Sequence, residues 1–275
     1  MRVTMQNHGN REYETLLNEL ITDVFGFSFA SWHELNLWDE RYESYSIIEN
    51  GRMLSNICIF KTDLLINGKL IEAHQYGTVS TGKEYRGQGL SKMLMEYIHL
   101  KYPDVPAFLF ANPSVVDFYP RFGFRRIIES RQVIRKKINN ECHGVKLSYT
   151  DERLRNRATF SNIADCVNTY PIQMFHMMME CPDKIYYIEK FNAIVIAEQN
   201  ETSLYIADII AEREIDFDSL CEYLPFSNVD YVEFGFSPDR FGINGEWRKI
   251  NDDFMFVRGN INFPCDFKFP CMSMT

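Results

Sequence analysis

The segment Val79-Ser-Thr-Gly-Lys-Glu-Tyr-Arg-Gly-Gln-Gly-Leu-Ser-Lys92 sets two glycines immediately before a helical stripe of Leu90, Met93, Leu94, Tyr97 and Ile98. A glycine-bearing turn that opens a helix presents consecutive backbone N–H groups with the helix dipole behind them. That is the chemistry of an anion site. Gly87 and Gly89 carry no Cβ, so the main chain there can approach a phosphate closely. Arg86 adds positive charge or is a solvated surface arginine; both readings stand. A second cluster, Asn112-Pro-Ser-Val-Val-Asp-Phe-Tyr-Pro-Arg-Phe-Gly-Phe124, begins with an N-cap residue and a proline suited to a first helical position. Its helix carries Phe118, Tyr119 and Phe122 and ends at Gly123, which suits a left-handed cap. Asn112 either contacts a ligand or only caps this helix.

The elements that must position these groups are legible from periodicity. Tyr13, Leu16, Leu17, Leu20, Ile21 and Val24 follow the i, i+3, i+4 stripe of an amphipathic helix. An aromatic-rich stretch from Phe25 to Tyr45, with Trp32 and Trp38, is core or the wall of a substrate pocket. Residues 46–49, 56–66 and 69–81 read as consecutive antiparallel strands, and Asn67-Gly68 is a strong hairpin signal. After the glycine loop and its helix, 106–111 reads as a buried strand. A strand pair from Phe124 to Ile138 closes the first half.

The chain has 275 residues, 45% of them hydrophobic and 24% charged, which suits two globular domains of ordinary size. No early segment resembles a signal peptide, and no window approaches the ~20 apolar residues of a membrane span. The seven cysteines are scattered without C-x-x-C spacing, which points to free thiols, no metal site and a cytoplasmic setting. A net charge of −9, with basic runs only at Arg125-Arg126 and Arg135-Lys136-Lys137, argues against nucleic acid as a partner. Acidity suits a cationic substrate such as an amine, and equally suits simple solubility.

Together the two clusters resemble the signatures of the GNAT superfamily of N-acetyltransferases. The Y-R-G-Q-G-L core looks like the family's acetyl-CoA pyrophosphate motif, and the F-Y-x-x-x-G-F ending looks like its second signature. Both occur in the family's order, about twenty residues apart. The resemblance covers residues 1–138 and is closest to bacterial proteins with two GNAT domains. It implies an α/β (α+β) fold: a mixed, mostly antiparallel sheet flanked by helices, with acetyl-CoA in an opening between the fourth and fifth strands. Val79, Ser80 and Thr81 would hold the pantetheine arm. The N–H groups of Gly87, Gln88, Gly89, Leu90 and Ser91 would bind the pyrophosphate, with Arg86 and Asn112 as further contacts. Glu84 stands where the family prefers Gln or Arg, so it is expected to face solvent.

The implied reaction is attack of a primary amine on the thioester through a tetrahedral intermediate, with no metal. An amine of pKa ~10 is mostly protonated at neutral pH, so a base is needed. Glu72 and His74 share a strand face and are the candidates, although an ordinary polar face explains them as well. Tyr119 resembles the tyrosine that protonates the departing sulfur. A small-molecule amine or a peptide is the expected acceptor. The rival reading is a sensor that binds acyl-CoA without turnover.

Residues 139–150 read as a linker. Residues 151–275 read as a reduced, GNAT-like second domain with strands at 185–188, 193–197, 204–210, 229–236 and 253–257 and a short helix at 217–224. Its counterpart of the phosphate loop, Ala211-Glu-Arg-Glu-Ile-Asp216, lacks glycine and carries three acids. This half is expected to bury a face of the first, shape the acceptor pocket or form a homodimer contact. The Met174–Met179 run around His176 reads as a core helix rather than a metal site.

Overall fold

The computed structural model describes residues 2–141, 144–155, 157, 161–250 and 254–275. The chain opens with β1 (Val3–Gln6), a strand that its polar sequence does not announce, followed by α1 (Arg11–Phe25). Asn10 caps α1 by accepting from the Tyr13 N–H, Gly26 ends it in the left-handed conformation, and Tyr13, Leu17, Leu20 and Ile21 bury the predicted stripe. After α2 (Ala30–Glu34) come β2 (Tyr42–Glu49), β3 (Arg52–Ile66) and β4 (Lys69–Thr81), each antiparallel to the one before. Asn67 and Gly68 both take positive φ, 49° and 71°, as a two-residue hairpin turn requires.

Helix α3 (Leu90–Lys101) then crosses over to β5 (Ala107–Ala111), which pairs with β4 in parallel. The segment after Asn112 departs from the expected helix. It forms two separate 3₁₀ turns, Pro113–Val115 and Tyr119–Phe122. Pro120 lacks the N–H that a continuous helix would need and crowds the preceding turn. Gly123 does adopt the left-handed cap, at φ 79°.

The two halves do not part at a linker. β6 (Arg125–Ile127) and β7 (Ser130–Ile138) are consecutive, yet they belong to different sheets. The rest of the chain supplies β8 (Val145–Lys146), β9 (Ala164–Val167), α4 (Tyr170–Met179), β10 (Ile185–Ile188), β11 (Ala193–Asn200), β12 (Ser203–Ile210), α5 (Phe217–Cys221), β13 (Val229–Phe234), β14 (Glu246–Lys249) and β15 (Phe254–Arg258). One sheet runs β1-β2-β3-β4-β5-β15-β6 with β9 joined to β3; the other runs β14-β7-β13-β12-β11-β10-β8. Thus β7 leaves the first half to join the second sheet. β15, expected to close the second domain, inserts between β5 and β6 of the first. Met255, Phe256 and Val257 are essentially fully buried, so β15 needs a sheet neighbour on each edge and a layer on each face. Within the expected linker, β8 pairs with β10, while Cys142 and His143 lie outside the described residues, as does Asp253 of the last expected strand.

Among the described residues each sheet has one parallel junction, β4–β5 and β12–β13, reached through a helix-bearing crossover. Trp32 and Trp38 are core. Trp32 Nε1 donates to the Pro171 carbonyl at the base of α4, which joins the halves, and Trp38 Nε1 donates to the Tyr42 carbonyl. Buried ion pairs tie distant segments together: Lys268 to Glu129 at 2.9 Å, and Arg157 to both Asp165 and Asp208 at 2.9 and 2.7 Å. No helix among the described residues is long and apolar enough to cross a membrane.

Candidate active site

Strand β4 carries one residue more than β3 between two matched pairs, Asn56↔Ser80 and Cys58↔Gly77. The surplus forms a β-bulge where Thr78 takes φ 45°, and a bulge turns a strand away from its neighbour. Pairing of β4 with β5 stops at Tyr76↔Leu109. Beyond it, the β5-facing edge of Gly77–Thr81 has no strand partner among the described residues. Into this gap opens a cavity of about 1100 Å³, larger than the ~300–1,000 Å³ of ordinary small-ligand pockets.

At one end lies the glycine loop. Gly87 and Gly89 sit at φ 77° and 79°, and a Cβ on either would meet nothing within 4 Å. Their glycine identity therefore serves backbone conformation rather than clearance. Gly89 is the N-cap of α3 and offers no side-chain acceptor; the first helical bond runs from the Met93 N–H to the Gly89 carbonyl. The N–H groups of Leu90, Ser91 and Lys92 consequently lack intrahelical acceptors and stand at the positive end of the helix dipole, an arrangement suited to an anion. The Ser91 hydroxyl straps the helix to β4 through the Thr81 hydroxyl at 2.7 Å, and the Ser55 hydroxyl donates to the Ser80 carbonyl at 2.7 Å.

Most of the residues singled out in the sequence meet here. Val79, Ser80, Thr81, Arg86, Gly87, Gly89, Leu90, Ser91, Asn112 and Tyr119 all line the cavity. Gln88 does not; its side-chain amide reaches back to the Glu84 carbonyl. Asn112 is occupied as a cap, its Oδ1 accepting from the Ser114 N–H and hydroxyl. Glu84 is exposed and turns to a separate depression beside Glu19 and Asp23, away from where an anion would sit.

Tyr119 is 5% exposed, with its ring against Phe118, Phe124 and Phe256 at 5.3, 6.2 and 5.6 Å. Burial pushes its phenol up to about 12, so it keeps its proton throughout the neutral range. Phe256 belongs to β15, so the second half of the chain braces this tyrosine.

The candidate bases are placed elsewhere. Neither Glu72 nor His74 lines the cavity. Both lie on β4 before the bulge: His74 is paired with Ala107 of β5, and Glu72 precedes that pairing. Glu72 is exposed. His74 is buried beside Tyr102, ring centroids 4.5 Å apart, and burial pushes its imidazole down to about 4. The face they share leads to a polar knot around Glu43, not to the opening. Burial alone would push the Glu43 carboxyl up. Hydrogen bonds from Lys61, Tyr45 and Tyr102 outweigh it and hold the carboxyl at about 2. The folded carboxyl sits below its unfolded value of about 4.5, so its stabilisation is present above that pH and is lost as pH falls toward 2. Urea midpoints of the wild type and Glu43→Gln should therefore differ clearly at pH 7, draw closer below about pH 4.5 and converge only near pH 2. A constant gap between them would show that Glu43 does not carry this acid sensitivity.

Sequence reasoning missed Thr275, which lines the cavity. Its N–H donates to Gln75 Oε1 at 2.7 Å, while Gln75 Nε2 donates to the Ser273 carbonyl at 2.9 Å. A Cβ built on Gly77 would stand 2.7 Å from Thr275 Oγ1, so the glycine makes room for this residue. No local pattern signals a contact spanning about 200 positions. Phe25 and Phe27, within the aromatic stretch, also line the cavity, whereas Trp32 and Trp38 do not. Among the described residues, no group of three or more His, Cys, Asp or Glu side chains could hold a metal ion.

Known proteins place the fold. The chain is similar in structure to a conserved protein of Enterococcus faecalis described as a probable N-acyltransferase (TM-score 0.61, 14% identity, 93% of this chain and 72% of that one). It is also similar to a GCN5-related N-acetyltransferase of Kribbella flavida (TM-score 0.57, 13% identity, 93% and 71%). A third similar structure is Eis1 of Mycobacterium abscessus (TM-score 0.59, 12% identity, 93% and 73%). No curated protein matches in sequence. The family model described as acetyltransferase (GNAT) domain matches residues 8–127, a span that contains the glycine loop, the β4–β5 opening and Tyr119. Residues 8–127 are thus similar to an acetyltransferase (GNAT) domain, and the strands within that span, β2 to β6, all belong to the first sheet.

Proposed function

We propose that this protein transfers an acetyl group from acetyl-coenzyme A to a primary amine. One observation carries the reading: a strand edge without a partner, a set of free helix N–H groups and a buried, protonated phenol border the same cavity. The Gly77–Thr81 edge suits the amides of a pantetheine arm, added as though it were a further strand. The N–H groups of Leu90, Ser91 and Lys92 suit a pyrophosphate, with Arg86 supplying charge. In the reaction, the amine lone pair forms a C–N bond to the thioester carbonyl carbon, and the C–S bond breaks. The sulfur leaves with its electron pair and takes the Tyr119 proton. The surplus proton of the amine nitrogen passes to water and from there restores the phenol.

The second half acts in this reading as a reduced GNAT-like partner. It lends β15 to brace Tyr119, and the segment after β15 lines the cavity. Calorimetry with acetyl-CoA, followed by thiol release with an amine present, tests the proposal. Saturable binding with amine-dependent thiol release is expected. Binding with no release from any amine would leave a sensor of acyl-CoA, and no binding at all would end the reading.

A further inference from the structure

The two ends of the cavity differ in chemistry. Near the glycine loop it is lined by Arg86 and Lys92, and by Glu96, which pairs with Lys92 at 3.7 Å. Glu96 is the sole carboxylate side chain among the described lining residues. The other end is aromatic. The left-handed Gly26 cap turns the chain after α1 so that the rings of Phe25 and Phe27 stack, 5.9 Å apart. Phe27 packs on Phe175 of α4 at 5.2 Å. The next residue of α4, His176, binds the Met274 carbonyl through Nε2 at 2.7 Å, which puts the aromatic wall beside Thr275 and Gly77. Phe25 leaves 45% of its surface open.

We propose that the acceptor is a primary amine joined to an apolar, aromatic body, seated on Phe25 and Phe27, and that the site selects against polycationic amines. This rests on the acyl-transfer reading. An ammonium group entering the aromatic end sheds water against the phenylalanine rings, and that desolvation favours its neutral form there. That is the form which attacks the thioester, and it lessens the need for the base that Glu72 and His74 do not supply. The apolar body gains by leaving water against the phenylalanine rings. A polyamine has no apolar body to bury on the rings, must desolvate several charges, and meets Arg86, Lys92 and Arg121 in the same cavity.

The test compares phenethylamine with spermidine, using acetyl-CoA and the full chain. kcat/KM for phenethylamine should exceed that for spermidine at least tenfold. Phe27→Ala should raise KM for phenethylamine about tenfold while kcat and the Kd of coenzyme A stay within about twofold. Phe25→Asp, at a position 45% exposed, should shrink or reverse the preference by adding a carboxylate beside the acceptor. Spermidine preferred by the wild type, phenethylamine left unreacted by protein that binds acetyl-CoA, or both variants indistinguishable from wild type would each overturn the inference while leaving the coenzyme site intact. Failure to bind coenzyme A at all would instead remove the acyl-transfer reading on which it stands.

Discussion

Tyr119→Phe is expected to lower kcat by two to three orders of magnitude while acetyl-CoA binds within about twofold of the wild-type Kd, the range set by loss of a positioned general acid. The ring stays in place between Phe118, Phe124 and Phe256, so only the hydroxyl is lost. The energetics shape what this proton does. A phenol at about 12 is a weaker acid than a thiol near ~8.5, so giving its proton to a free thiolate is uphill by ~5 kcal/mol. In the proposed reaction, transfer would therefore accompany C–S cleavage, as charge builds on sulfur, rather than precede it. A second consequence follows from the same numbers. Above about pH 8.5 the thiolate survives without a proton, so the defect of Tyr119→Phe should narrow as pH rises from 7 to 9. Single-turnover thiol release across that range measures it. No defect at pH 7 would assign Tyr119 to packing alone, and a defect equal at both ends would show that its hydroxyl does not act by protonating sulfur.

The second large effect concerns the loop. Gly89→Val should weaken coenzyme A binding about a hundredfold, or ~2.7 kcal/mol. A β-branched residue at the left-handed φ of 79° costs ~1–2 kcal/mol and favours a rearranged loop. That rearrangement turns away the N–H groups at the start of α3, and hydrogen bonds to charged groups are each worth ~1.5–3 kcal/mol. Gly242→Val is the control. Gly242 sits at φ 68° with open space around it in the second half, so it pays a similar backbone cost and lines no part of the cavity. Both variants should lose similar thermal stability, and only Gly89→Val should lose affinity. Equal affinities for the two would disconnect the loop from the coenzyme.

Much of the site was legible because its parts are local. A glycine pair before a helical stripe, a hairpin dipeptide and an aromatic turn ending in glycine each reveal themselves within a dozen residues. Left-handed φ and helix periodicity are short-range demands of the backbone. The same locality explains the errors. Glu72 and His74 share a face with Tyr76, but the bulge at Thr78 decides where β4 opens, and the opening begins after them. A bulge is one extra residue, settled by the register of β3 against β4 rather than by composition. The helix expected after Asn112 broke at Pro120, a residue visible in the sequence and outweighed there by an otherwise helical pattern.

The sequence alone determined the glycine loop before α3, the order of strands from β2 to β5 and the aromatic turn that carries Tyr119, because those depend on contacts between near neighbours. Tertiary structure alone decided that β7 and β15 cross between the two sheets, that Phe256 braces Tyr119 and that Thr275 reaches Gly77. A fully apolar strand such as Phe254–Arg258 declares that it will be buried, but not between which strands. Its partners are chosen by the shape and hydrogen-bonding edges of the whole fold, which no local window of residues contains.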